Sequence, residues 1–331
     1  MSLPKGKTTF LKGVHIMNEK TMQQIEAMKK QTIGVEIEMA NITRERVAEV
    51  VAAYYHTENT VQYIGGVYRA WGCKDNKGRT WKVMWDSSIV ARSEEEHAEL
   101  TTPVLQYEDI EDLCEIVRQL RRAGAKSDPD HMCGVHIHIG FGTHNAKTLR
   151  NLANIMASHE SLLISALRLD QARINHYCHT VNRHFLYKLN ARKPRTMSEL
   201  ADIWYGTIAP HSNRNQHYNS SRYHILNYHA CFTKGTIEFR CFQFANPSNG
   251  KKNGLHGGEL KTYIQLCLAL SQMAKMVKTA SPRQPQVENP KYAMRTWLLR
   301  LGFIGDEFAT ARLILTRNLE GDTAFRHGRA A

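Results

Sequence analysis

Residues 32–40 read TIGVEIEMA. Apolar and polar positions alternate, and side chains two apart on a strand share a face. Ile33, Val35, Ile37 and Met39 therefore point one way, and Glu36 and Glu38 the other. Two later stretches repeat the scheme. In GVHIHIG (134–140), Val135, Ile137 and Ile139 oppose His136 and His138. In GTIEFRCF (235–242), Ile237, Phe239 and Cys241 oppose Glu238 and Arg240. The common pattern predicts three strands of one sheet, apolar toward a core and chemically loaded on the other face.

Working outward, residues 80–86 (TWKVMWD) predict another strand after the turn signal DNKG, with Asp86 at its end on the face opposite Val83 and Trp85. Residues 98–102 predict a short strand with Glu99 opposed to Ala98 and Leu100. Helical spacing marks residues 19–30, 44–55, 108–123, 146–169 and 258–277, with Asn145 as a cap and Gly257–Gly258 as a helix entry. Residues 222–229 read as a further strand, 171–221 as irregular apart from a helical piece near 197–205, and 291–318 as two helices. This order predicts an α+β fold, one main sheet with helices behind it. The expected divisions are an extension (1–30), a catalytic unit (31–280) carrying a basic insertion (171–221), and a helical extension (281–331) after the linker-like SPRQPQVENP.

The chain has 331 residues, 42% hydrophobic and 23% charged, which excludes global disorder. The longest uncharged helical stretch is too short for the ~20 apolar residues of a membrane span, and the basic start lacks a signal-peptide core. Seven cysteines without a CxxC pair predict reduced core thiols in a cytoplasm. Lys and Arg total 44 against 31 Asp and Glu, a formal charge of +13. Nine of those cations and only two acids fall between residues 171 and 234, with seven histidines. Such a field concentrates anions, from nucleotides to nucleic acid, although a basic stretch is often just a solvated face.

A wet strand face yields E-x-E by default, and paired histidines are often structural. Such a face usually carries Thr, Lys, Gln and Ser, however, whereas here three strands carry carboxylates, imidazoles and an arginine. If the strands share a sheet, Glu36, Glu38, Asp86, Glu99 and Glu238 crowd together. Two unit charges ~4 Å apart repel by ~4 kcal/mol at an effective dielectric of 20, so protons or cations must enter. Carboxylates with one imidazole suit Mg²⁺ or Mn²⁺, and Arg222 and Arg240 would meet a phosphate. No G-x-S-x-G elbow and no P-loop accompanies them.

The ordered set GVEIEM (34–39), WDSSI (85–89), AELTTPVL (98–105), GVHIHIG (134–140), RYHILN (222–227) and GTIEFR (235–240) resembles the amidoligases of the carboxylate–amine ligase superfamily, which includes glutamine synthetase and glutamate–cysteine ligase. The similarity spans roughly residues 32–275. It implies a curved, mostly antiparallel sheet whose concave face forms a funnel, helices on the convex face, ATP entering one end and the acceptor amine the other. It implies metal ligation by Glu36, Glu38, Asp86, Glu99 and Glu238. His136 becomes a metal or phosphate ligand and His138 faces the nucleotide. Arg222 and Arg240 contact phosphates and the transferred phosphoryl group, with Asn227 on the same wall. Asp86 is shorter than the glutamate some relatives carry there, and the basic insertion matches no motif, which makes it the expected seat of substrate choice.

The expected activity is ATP-dependent amide formation through an acyl phosphate, with Mg²⁺ or Mn²⁺. The partners would be small-molecule or peptide acids and amines, or groups on a nucleic acid or cell-wall polymer, with no membrane and an assembly of identical subunits as an option. Two other readings stay open: a zinc hydrolase using His136 and His138, and a non-catalytic nucleic-acid binder using segment 171–234.

Overall fold

A computed structural model describes residues 19–216, 218–245, 254–324 and 326. Among them are eleven α-helices and one eight-stranded sheet. The strands are β1 (Ile33–Met39), β2 (Gln62–Gly65), β3 (Ala70–Lys74), β4 (Thr80–Met84), β5 (Ala98–Thr101), β6 (Val135–Gly140), β7 (Leu226–Asn227) and β8 (Thr236–Phe242). Their order is β2-β3-β4-β5-β1-β6-β8-β7, open and antiparallel at every pairing. The three strands with the strongest alternation, β1, β6 and β8, lie side by side.

The apolar residues of these strands reach 0–3% exposure and join one core running from Ile25 to Leu319. Helix α2 (Arg44–Tyr55) packs behind β3, β4 and β5. Helix α9 (Gly257–Met276) packs behind β6 and against α3 (Ile110–Arg122) and α4 (Ala146–Leu167). Asn145 caps α4 through a reciprocal pair with Thr148, as its position before the apolar run predicts. Helix α1 (Glu19–Lys29) also rests on α9, and α11 (Ala309–Thr316) contacts α9, α4 and α10 (Pro290–Arg300). Among the described residues no helix is long and apolar enough to cross a membrane. All seven cysteines are buried and free.

Two expectations need correction. The helical piece expected near 197–205 is α7 (Met197–Ile208), but the insertion before it is helical too, not irregular: α5 (Gln171–His176) and α6 (Arg183–Arg192) join it, and the three start at side-chain caps, Asp170, Asn182 and Thr196. The strand expected over 222–229 shrinks to Leu226–Asn227. Arg222 closes a 3₁₀ turn instead, and the Asn227 side chain accepts from the His229 amide, turning the backbone into α8 (His229–Thr233).

Candidate metal and active site

Register brings the loaded face together. Glu36 lies opposite His136, Glu38 opposite Glu99, and His138 between Gly34 and Glu238. Without a side chain, Gly34 leaves room for the His138 ring; a Cβ there would come within 3.3 Å of His138 Cβ. His138 Nδ1 lies 3.0 Å from Thr236 Oγ1, and its Nε2 lies 3.2 Å from Glu36 Oε1. A β-bulge between the Val135 and Ile137 pairings on β8 adjusts the strand beside Arg240, a device common next to functional sites.

Two three-ligand clusters result. Glu36, His138 and Glu238 offer ligand atoms within 4.8 Å of one another, and so do Glu38, Asp86 and Glu99. Glu36 and Glu38 lie two residues apart on the same face of β1, so the clusters are neighbours. His136 lies between them, its Nδ1 3.0 Å from Glu36 and its Nε2 3.6 Å from Glu38. His138 thus completes a cluster, and His136, also within 4.0 Å of Glu238, bridges the two. Asp86 lies two residues past β4, and Ser88 fixes its Oδ1 through the backbone amide (2.7 Å) and the hydroxyl (2.6 Å).

Electrostatics separate the clusters. Burial pushes the Glu36 carboxyl up, but His138, His136 and Lys234 outweigh it and hold it well below the usual range. Burial likewise opposes Glu238, yet Arg240 and His138 draw it down to about 2. His138 is disfavoured by burial but raised overall by Glu36 and Glu238. Glu99 goes the other way: burial pushes it well up, and Glu36, Glu38 and Asp86 push it further. The first cluster is therefore compensated by protein cations, while the second is rich in uncompensated carboxylate. An all-oxygen set of three carboxylates fits Mg²⁺ or Mn²⁺, and one imidazole with two carboxylates is compatible with the same ions.

The remaining expected residues line the same wall with differing freedom. Arg240 is 5% exposed and donates to Glu238 at 2.6 Å, so its guanidinium is largely committed. Arg222 lies over the rings of Tyr218 (5.0 Å) and Tyr223 (5.4 Å) and makes no ion pair among the described residues. Its Nε, like that of Arg240, is buried without a hydrogen bond, and with no ion pair among the described residues Arg222 is the readier of the two to meet an anion. The Asn227 side-chain amide is engaged on both sides: its Nδ2 donates to Glu238 at 2.6 Å and its Oδ1 accepts from the His229 amide, which fixes Glu238.

Sequence reasoning missed several neighbours. Lys234 Nζ lies 3.4 Å from Glu36, and Arg173 Nη1 lies 3.9 Å from Glu38. Tyr218 contacts Tyr68, closing the insertion against the β2–β3 hairpin. Lys234 precedes the glycine that opens β8, a readable signal; nothing in the sequence around Arg173 points inward.

A family model described as "Putative amidoligase enzyme" matches residues 29–271, well over half of the chain. The chain belongs to the amidoligase family. No curated protein matches it. Among solved structures it is similar to a bifunctional glutathione synthetase from Pasteurella multocida, at 11% identity and a TM-score of 0.45, covering 92% of this chain and 49% of that one. The chain thus spans about half the length of that structure.

Proposed function

We propose that this amidoligase forms an amide bond at the expense of ATP, through an acyl phosphate, with two Mg²⁺ or Mn²⁺ ions. The observation that carries the reading is the pair of adjacent three-ligand clusters on one sheet face with Arg222 and Arg240 beside them. Bound cations would neutralise phosphate oxygens and polarise the transferred group. Glu36, His138 and Glu238 would hold one ion, and Glu38, Asp86 and Glu99 the other.

A cavity of about 240 Å³ opens beside the first cluster, walled by Gly34, Thr102, His138 and Thr236 and rimmed by Lys234. In this reading the nucleotide's phosphates approach from that end, where Lys234 and the cation held by Glu36, His138 and Glu238 would supply positive charge. The sheet acts as a funnel with the substrates arriving from opposite ends. A carboxylate oxygen of the acid substrate bonds to the γ-phosphorus, the bond to the bridging oxygen breaks, and ADP leaves. A neutral amine then attacks the acyl carbon, phosphate departs with the C–O bonding pair, and the amine sheds a proton. The protein's part is positioning and charge neutralisation. The insertion, with Tyr218 and Arg222, is the proposed seat of substrate choice, for free acids and amines or for polymer-borne ones. Seven buried free thiols support a cytoplasmic setting.

Incubating the protein with ATP, Mg²⁺ and pooled acids and amines should give amine-dependent phosphate release. Hydroxylamine should trap a hydroxamate. Glu38→Gln and Arg240→Ala should each reduce turnover by at least about 10²-fold while the fold persists by circular dichroism. Full activity in either variant would remove the site from consideration. The zinc-hydrolase reading is less favoured, because only His138 of the pair belongs to a three-ligand cluster.

A further inference from the structure

The basic insertion reaches the site from behind through a side chain that catalysis as described above does not use. Arg173 lies on α5 and is 2% exposed. A buried guanidinium is costly unless it is paired and hydrogen-bonded. Its Nη1 donates to the carbonyl of Met132 at 3.1 Å. Among the described residues, Glu38 is the one carboxylate within ion-pair distance, at 3.9 Å from Nη1 to Oε2.

Gly134 shapes this contact. Its backbone N–H donates to the same Glu38 Oε2 at 2.6 Å. The Arg173 guanidinium lies against its Cα, so that a Cβ at position 134 would fall 2.0 Å from Nη2 and 2.6 Å from Cζ. One residue thus presents its amide to the carboxylate and a flat seat to the guanidinium. The amide fixes Oε2 by a hydrogen bond and the guanidinium faces it as a charge at 3.9 Å, and a carboxylate fixed through one oxygen offers the other in a defined direction.

We propose that Arg173 is a positioning residue for the second cation cluster, setting the Glu38 carboxylate for Asp86 and Glu99 and offsetting part of their charge. The insertion is then a structural part of the metal site as well as a covering over it. The first cluster has its own cations, Arg240 at 2.6 Å from Glu238 and Lys234 at 3.4 Å from Glu36, and Arg173 pairs with neither carboxylate among the described residues. Loss of Arg173 therefore affects one cation site and spares the other.

This inference rests on the two-cation reading, and one titration separates them. Mn²⁺ binding is followed by electron paramagnetic resonance and calorimetry on the full chain. Wild type should bind two Mn²⁺. Arg173→Met should weaken one site roughly 10- to 100-fold, the range for residues that orient metal ligands, and leave the other unchanged. Arg173→Lys, which keeps the charge but lacks the planar fork, should fall between the two. Gly134→Ala, which displaces the guanidinium, should weaken the same site. Glu238→Gln should weaken the opposite site and so identify which one survives. Two intact sites in Arg173→Met overturn this inference alone, and equal weakening of both sites in every variant does so too, as general loosening would give that. Should Arg173→Met not fold, the Lys and Gly134→Ala variants carry the comparison. A wild type that binds no Mn²⁺ overturns both this inference and the reading beneath it.

Discussion

Glu99 faces Glu38 across a strand pair, with Asp86 beside both, and burial followed by its acidic neighbours pushes its carboxyl well up. Its ionised form is disfavoured in the folded state relative to the unfolded one. Below the ordinary carboxylate range both states are protonated and nothing is lost. As pH rises through that range the unfolded chain ionises first, so the metal-free fold loses stability until Glu99 ionises too. With chelator present, wild type should lose thermal stability more steeply between pH 5 and pH 8 than Glu99→Gln. Adding Mg²⁺ should release protons, seen as a binding enthalpy that depends on the buffer; in Glu99→Gln that dependence should shrink. Equal pH slopes for the two proteins would show that Glu99 is not held protonated. The residues of both clusters were legible from alternation alone. Which histidine joins which carboxylates was not, because that depends on Gly34 lying opposite His138 and Thr236 holding its ring.

At the scale of elements, the strands with strict alternation were readable because one face is buried and a one-residue slip would invert it. The short edge pieces were not. Strand β2 exposes Tyr63 and Ile64 and has no apolar face to betray it. The insertion reads as polar, so only the helix near 197–205 was legible and α5 and α6 escaped notice, yet Asp170 and Asn182, like Thr196, occupy cap positions that a search for starts would find. Asn182 accepts from the Phe185 amide at 2.9 Å. Asn182→Ala should therefore cost about 1 kcal/mol in chemical denaturation, and a change under a few tenths would deny the cap its role. Asn227 ends β7 and holds Glu238, two tasks for one amide. Asn227→Ala should weaken Mn²⁺ at the first cluster about 10-fold or more without affecting the second, measured by the same titration.

Across the whole molecule, two histidines far from the clusters set an acid limit. Burial lowers His144 to about 3 and His224 to about 4, so both stay neutral in the fold where an unfolded chain would protonate them. The stability they contribute is complete above an ordinary histidine pKa of about 6.5 and drains away as pH falls toward those values. Urea unfolding should show a loss of a few kcal/mol between pH 7 and pH 4.5, part of it absent in His224→Asn; a flat profile would contradict the burial. Helix α9 has a different kind of reach. Its partners include α1, from before the sheet begins, and α11, near residue 315. A ribosome delivers these pieces in order, so β1 waits through more than two hundred residues of synthesis before the helix that backs its sheet emerges, and longer still for α11. Its strand partners β5 and β6 are complete by Gly140, so for the rest of that interval the nascent chain carries a paired sheet not yet backed by α9, which makes it a natural client for chaperones that shield half-made sheets.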